Sequence, residues 1–153
     1  MSDAHRRVYL DADVWIGWLQ GEVSNGVDRG EVAEFLIGLA HRDQLDIVVS
    51  AFVLVEVRKA PPGKPDDEAA GELILESFER EFISVVPLTR DIAADAQRLA
   101  RKHRLNSGDA VHLATARTAG CDALFTFDED FRKIVEPEIV IEAPHRFGQA
   151  PFP

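Results

Sequence analysis

The stretch VYLDADVWI, residues 8–16, decides the fold that this sequence predicts. It opens with an apolar run at residues 8–10, reaches an acid at Asp11 and becomes apolar again after Asp13. An apolar run without polar alternation is typical of a central strand in a parallel sheet, because such a strand is covered on both faces. Asp11 would then lie at the carboxyl end of that strand, where open α/β sheets hold their ligands.

Length and composition predict one domain. The chain has 153 residues, of which 46% are hydrophobic and 29% charged, enough for one α/β core and too few for a second. The domain is expected at residues 1–143, and the proline-containing residues 144–153 are expected to form a flexible tail. Since no apolar run is long enough for a signal peptide or a membrane span, we expect a cytoplasmic protein without a membrane partner.

Charge and cysteine content limit the chemistry. The 27 acids and 17 bases give a formal net charge of −10, which opposes long-range attraction to nucleic acid or anionic lipid but does not exclude a local basic groove. Cys121 is the only cysteine, so an internal disulfide and a thiolate metal cage are excluded. Any metal site must therefore use oxygen or imidazole ligands.

Hydrophobic periodicity predicts alternating strands and helices along the rest of the chain. Further strands are expected at residues 47–49, 84–87, 123–126 and 139–141. Helices are expected at about residues 14–19, 29–41, 51–59, 66–82, 90–104, 107–119 and 128–135, with a loop at residues 20–26. This alternation predicts an α/β fold with a mainly parallel five-stranded sheet and helices on both faces.

Four acids stand at positions where such a sheet would bring them together. Asp11 and Asp128 follow strands, and Asp109 begins a helix, so each one alone also fits ordinary turn or cap chemistry. Glu56 differs, because the rest of its helix, residues 52–57, is apolar and a carboxylate there must be paired, exposed or bound to metal. If the acids converge, their repulsion requires a cation, and oxygen ligands favour Mg²⁺ or Mn²⁺.

Four segments together resemble the PIN-domain family, and within it the VapC-type toxins of toxin–antitoxin pairs. They are YLDADVWI at residues 9–16, Ser50 with Glu56, DAVHLATA at residues 109–116, and TFDEDF at residues 126–131. The resemblance spans residues 8–141. It implies a single PIN-like domain and a metal-dependent endoribonuclease that is the toxin of a type II toxin–antitoxin system. RNA would be its substrate and a cognate antitoxin protein its partner.

The resemblance also implies roles for matching residues. Asp11, Glu56, Asp109 and Asp128 would be the catalytic acids, and Asp11, Asp109 and Asp128 would hold Mg²⁺ or Mn²⁺. Thr126 would support them by orienting a water or a ligand.

Three residues near these motifs keep two interpretations. Asp13 stands where the family usually has Asn or Ser, so it would add a ligand or change which metal is held. Asp130 matches a frequent extra acid, but it equally fits a solvent-facing position. His112 follows Asp109 by one helical turn, and a packed or hydrogen-bonded histidine is favoured over a substrate contact.

Two basic pairs are candidates for contacts with RNA phosphates. Arg58 and Lys59 follow Glu56, and Arg101 and Lys102 lie in the last turn of a predicted helix. Bases at a helix C-terminus also complement the helix dipole without any ligand, so both interpretations stay open.

The tryptophans Trp15 and Trp18 are one helical turn apart. They belong either to the core or to the face of a homodimer, near which an antitoxin arm would bind.

Two other functions also fit parts of the sequence. LDADV, residues 10–14, matches the first motif of haloacid-dehalogenase-like phosphatases, in which Asp11 would be the nucleophile and Asp13 its acid/base partner. That scheme leaves Glu56 and Asp109 without a role. The second alternative is a PIN-like module that binds RNA or protein without cleaving, which a full set of acids disfavours because an inactive fold need not keep their repulsion.

Overall fold

A computed structural model of the chain describes residues 6–21, 23–24, 26–57 and 68–144. The main strands are β1 (Arg6–Leu10), β4 (Leu45–Ser50), β5 (Ile83–Val86), β6 (Ala123–Phe125) and β7 (Val140–Glu142), and a short hairpin contains β2 (Val23–Ser24) and β3 (Val27–Asp28). The helices are α1 (Ala12–Gln20), α2 (Arg29–His41), α3 (Val53–Glu56), α4 (Glu68–Ser77), α5 (Arg90–His103) and α6 (Ser107–Thr118), followed by a 3₁₀ turn at Phe131–Lys133.

The five main strands form one parallel sheet in the order β5-β4-β1-β6-β7. β1 is the central strand, and it pairs with β4 on one side and with β6 on the other. The chain fills one half of the sheet first and then crosses back to build the other half from β1. The carboxyl end of β1 is therefore the point at which strand order reverses, where such sheets leave a crevice.

Side chains of β1 alternate between two cores, as the pleat of a strand requires. Val8 and Leu10 pack in a core with α1 and α2, while Tyr9 packs in a second core with α5 and α6. All three side chains are fully buried. The predicted α/β fold with a parallel five-stranded sheet and helices on both faces is confirmed.

Two helix starts show how local chemistry sets the element boundaries. The Asp28 carboxylate accepts a hydrogen bond from the Glu31 N–H at 3.0 Å and caps α2, which has the bounds that the periodicity predicts. The Thr89 hydroxyl accepts from the Ile92 N–H at 3.2 Å and caps α5 in the same way. Each cap satisfies a backbone donor that the helix leaves without a partner.

Three expectations about local structure were wrong. The expected loop at residues 20–26 contains part of the β2–β3 hairpin, for which the sequence signal was Asn25-Gly26, a common pair in two-residue hairpin loops. The expected helix at residues 51–59 is helical only at Val53–Glu56. The expected helix at residues 128–135 is a single 3₁₀ turn, because the Asp128 side chain accepts from the Asp130 N–H at 2.9 Å and competes with helical bonding.

No helix in the described part of the chain is long and apolar enough to cross a membrane. Residues 58–67 and 145–153 lie outside the described residues. The division into a domain at residues 1–143 and a tail at residues 144–153 therefore stays a prediction.

Candidate active site

Asp11 lies at the carboxyl end of β1, as the sequence predicts, and caps α1. Its Oδ1 accepts from the Ala12 N–H at 2.8 Å, and its Oδ2 accepts from the Thr126 hydroxyl at 2.8 Å. The Asp11 N–H in turn donates to the Phe125 carbonyl at 3.0 Å. Asp11 is only 5% exposed and Thr126 is fully buried, so these bonds join the ends of β1 and β6 away from water.

Asp13 also contacts the segment that follows β6. Its Oδ2 accepts from the Thr126 hydroxyl at 3.1 Å, and both its oxygens lie within 3.2 Å of the Phe127 N–H. Burial and the charge of Asp11 raise the pKa of Asp13 to about 7, although Phe127, Thr126 and Arg29 partly oppose this shift. The hydrogen bonds of its carboxylate hold α1, which contains Asp13, against the segment that follows β6.

Asp109 lies in the first turn of α6, three residues after the N-cap. Asn106 is the N-cap, and its side chain accepts from the Asp109 N–H at 2.8 Å and donates to Asp109 Oδ2 at 3.1 Å. Burial raises the pKa of Asp109 to about 6, and the charges of Asp11 and Asp128 add to the shift. The exposed Asp128 thus lies near enough to Asp11 and Asp109 for the three carboxylates to share one electrostatic environment.

Glu56 reaches this group from the other side of the crevice. A Cβ placed on Gly108, in the first turn of α6, would lie 3.3 Å from Glu56 Oε2, so this glycine leaves room for the carboxylate. Glu56 Oε1 is hydrogen-bonded to His112 Nε2. The Glu56 side chain is 28% exposed, and one of its oxygens is therefore fixed while the other faces the start of α6.

His112 is fully buried and hydrogen-bonded, as the favoured interpretation predicts. Its Nδ1 bonds to the Tyr9 hydroxyl, which accepts from the Ser50 N–H at 3.0 Å. Burial raises the pKa of Tyr9 well above its ordinary value, so Tyr9 keeps its proton and donates it to Nδ1. When the imidazole is neutral, its proton then lies on Nε2, and in both the neutral and the protonated ring the Nε2–H group donates to Glu56.

Tyr9 is a member of this network that sequence reasoning missed. The available signal was a tyrosine in an otherwise apolar central strand, because a buried tyrosine hydroxyl usually finds a hydrogen-bond partner. Burial alone would lower the pKa of His112, but the hydrogen bond to Glu56 and the charge of Asp11 raise it. His112 Nε2 also lies 3.7 Å from Asp11 Oδ1, so the ring connects two of the predicted acids.

The remaining predicted residues lie in different surroundings. Asp130 is exposed and forms an ion pair with Lys133 at 3.0 Å. Lys102 donates to the buried Glu136 at 3.2 Å, and Arg101 is exposed to solvent. The predicted phosphate contacts Arg58 and Lys59 lie outside the described residues.

The two tryptophans belong to the packing of α1. Trp15 is fully buried, with its ring centroid 4.7 Å from that of Phe78, so its alternative role in a dimer face is wrong. Trp18 is partly buried against the same core and donates to Glu34 at 2.6 Å.

The donor set at the crevice fits a hard divalent cation in its chemistry. In the ranges that the structure describes, no three His, Cys, Asp or Glu side chains are arranged to hold a metal ion. The candidate ligands Asp11, Asp109 and Asp128 nevertheless all offer carboxylate oxygens, and the charges of the other two add to the effect of burial in raising the pKa of Asp109. A cation among them would remove this repulsion.

Comparison with known families decides the identity of the fold. The PIN-domain family model matches residues 8–137, which include the second part of β1, the four acids and the segment that follows β6. The chain belongs to the PIN-domain family. This membership confirms the resemblance and rules out the haloacid-dehalogenase-like alternative, for which Asp13 would have been essential.

Two solved structures have the same PIN-domain fold. Mycobacterium tuberculosis VapC20, described as a sarcin-ricin loop cleaving toxin, is 20% identical with a TM-score of 0.62, covering 81% of this chain and 92% of its own. A toxin–antitoxin complex from Klebsiella pneumoniae contains a chain that is 20% identical with a TM-score of 0.58, covering 87% and 95%. A comparison with curated protein sequences gives no significant match.

The Thr126 hydroxyl generates a prediction about stability. Thr126→Val keeps the shape of the side chain but removes the donor to Asp11 and Asp13, so we expect a loss of about 1.5–3 kcal/mol in the free energy of unfolding. Equilibrium urea denaturation at neutral pH measures it. Thr115→Val is the matched control, because Thr115 is equally buried but donates only to the Val111 carbonyl of its own helix at 2.7 Å. Equal losses in the two variants would contradict the role given to Thr126.

Proposed function

We propose that this PIN domain is a Mg²⁺- or Mn²⁺-dependent endoribonuclease, acts in the cytoplasm, and is the toxin of a type II toxin–antitoxin pair. One observation carries this proposal. Asp11, Glu56, Asp109 and Asp128 gather at the carboxyl end of the central strand, where burial raises the pKa of Asp109 and the charges of Asp11 and Asp128 add to the shift. A fold that merely bound RNA would gain nothing from keeping this repulsion.

Asp11, Asp109 and Asp128 would hold the metal ion through their carboxylate oxygens. When bound, such an ion lowers the pKa of a water and stabilises the charge that develops on the scissile phosphate. Thr126 keeps the Asp11 carboxylate oriented through its 2.8 Å hydrogen bond. Asp13 would support the site from behind, by positioning the segment that carries Asp128.

Glu56 would act on the attacking water. Its Oε1 is occupied by His112, which leaves Oε2, on the side of the α6 N-terminus, to orient the water or to accept its proton. His112 and Tyr9 would then be positioning residues, since they act through Glu56.

The partners follow from the same assignment. VapC20 is described as cleaving the sarcin-ricin loop, and the Klebsiella pneumoniae structure is described as a toxin–antitoxin complex. By analogy, RNA would be the substrate here and an antitoxin protein the partner, with a basic side chain of the antitoxin neutralising the acidic crevice. We also propose a homodimer, with the antitoxin arm lying over the helices near Trp18.

We expect each of the four acids to be required for cleavage. Asp11→Asn, Glu56→Gln, Asp109→Asn and Asp128→Asn should each abolish metal-dependent cleavage of total cellular RNA, assayed with mapping of the new ends. Asp13→Asn should retain substantial activity, because Asn can still accept from the Phe127 N–H.

Glu129→Gln is the matched control, since Glu129 is an exposed neighbour of Asp128. Binding of RNA without cleavage by the wild type would support the non-cleaving module instead.

Positioning of Glu56 by His112 predicts a difference between two amide variants. His112→Gln places an amide nitrogen near the position of Nε2 and can still donate to Glu56, whereas His112→Asn can reach only the Tyr9 side. We expect His112→Asn to lower kcat by about ten- to a hundredfold with KM unchanged, and His112→Gln to keep most of kcat. Equal kcat losses in two variants of equal melting temperature would count against this role.

Repulsion between the acids predicts how metal changes thermal stability. A ligand that binds only the folded state adds about 2.7 kcal/mol at a hundredfold excess over Kd, so Mn²⁺ should raise the melting temperature of the wild type. Asp109→Asn should melt at or above the wild type in chelator, because repulsion is relieved, and should gain little from Mn²⁺. Equal metal-induced shifts in the two proteins would show that Asp109 is not a ligand.

A further inference from the structure

A cavity of about 690 Å³ opens beside the acidic site, and both Asp109 and Asp128 line it. Its walls come from the end of α5, the start of α6 and the segment that contains the 3₁₀ turn. The volume lies in the range of sites that hold small organic ligands. Two of the proposed catalytic acids line this cavity. A molecule bound in it would therefore lie directly beside the phosphate that the acids act on.

The cavity has a basic part that the acidic composition of the chain does not suggest. Arg104 and Lys133 line it. Within the described residues, the Arg104 guanidinium makes no hydrogen bond or ion pair, and Lys133 is paired only with the exposed Asp130. Lys133 can exchange this surface partner for a phosphate at little cost, since exposed ion pairs contribute little free energy.

The other bases near the end of α5 are differently placed. Lys102 and His103 both bond to Glu136, whose side chain is only 2% exposed, and this contact fixes the α5 end against the segment before β7. Arg101 does not line the cavity. Lys102 and His103 thus stabilise the cavity wall, whereas Arg104 is available to bind a ligand.

The backbone of Arg104 has an unusual conformation. Arg104 ends α5 in the left-handed conformation, with φ of 57°, and its N–H donates to the Ala100 carbonyl. Glycine is the usual residue at this position, because a side chain is strained in the left-handed conformation. The Arg104 side chain thus lines the cavity from a strained backbone position.

An apolar wall faces these bases. Leu105, Ile134 and Val135 line the cavity, and Val135 is 83% exposed. Apolar side chains beside basic groups suit a nucleotide, whose base packs on the former while its phosphate pairs with the latter.

We propose that this cavity binds the single-stranded RNA nucleotide adjacent to the scissile phosphate, with backbone phosphate on Arg104 and Lys133 and the base against Leu105, Ile134 and Val135. This assignment rests on the nuclease function proposed above. Since the chain carries a net charge of −10, RNA must be attracted locally. Arg104 and Lys133 provide that attraction in a cavity whose other walls include Asp109, Asp128 and Asp130.

Binding can be measured separately from cleavage. In the Asp109→Asn background with Mg²⁺, a fluorescein-labelled single-stranded RNA of mixed sequence is titrated and its anisotropy is followed at several salt concentrations. We expect Arg104→Gln and Lys133→Gln each to weaken binding by about three- to tenfold and to reduce the slope of log K against log salt by about 0.7, the loss of one phosphate contact. Arg98→Gln is the control, because Arg98 is exposed on α5 and does not line the cavity.

Arg104→Gly distinguishes a role in RNA binding from a role in stability, because the two roles predict opposite changes in melting temperature. Glycine relieves the left-handed strain, so the melting temperature should rise while RNA binding weakens as in Arg104→Gln. A fall in both stability and binding would mean that Arg104 acts through the fold, and would overturn the proposal.

Two further results separate this cavity from the nuclease function. If the background protein binds RNA and the Arg104 and Lys133 variants bind it equally well, the cavity assignment fails while the nuclease proposal stands. If the wild type neither binds nor cleaves RNA, the nuclease function fails and the cavity assignment fails with it.

Discussion

Burial of neighbouring carboxylates is the constraint on which this site depends. Asp11 is almost fully buried, and burial together with the charge of Asp11 raises the pKa of Asp13 to about 7, so both must be surrounded by donors to remain in a folded protein. Those donors are the Thr126 hydroxyl and the backbone N–H groups of Ala12 and Phe127. Each donor lies at or just after the carboxyl end of β1 or β6. The hydrogen bonds that stabilise the buried carboxylates therefore also join the two central strands of the sheet.

The hydrophobic periodicity of the sequence was sufficient to predict the layers of the fold. Strands buried on both faces and helices with one apolar stripe have different patterns of apolar residues. It also placed Asp11, Asp109 and Asp128 correctly at the ends of elements. The network of Tyr9, His112 and Glu56 was not predicted, since it joins residues as far as 103 positions apart through side-chain directions that no local pattern records. Asn25-Gly26 did carry a local hairpin signal, which the expectation of a loop overlooked.

The order of the strands has a consequence for the stage of synthesis at which the acidic site becomes complete. Thr126 is 115 residues from Asp11, and β6 is the fourth of the five sheet strands to leave the ribosome. Until β6 docks beside β1, the chain has Asp11, Glu56 and Asp109 but lacks the hydroxyl that orients the first and the carboxylate of Asp128. Contacts of such long sequence separation form late. Before β6 docks, the nascent chain therefore presents only an incomplete form of this acidic site.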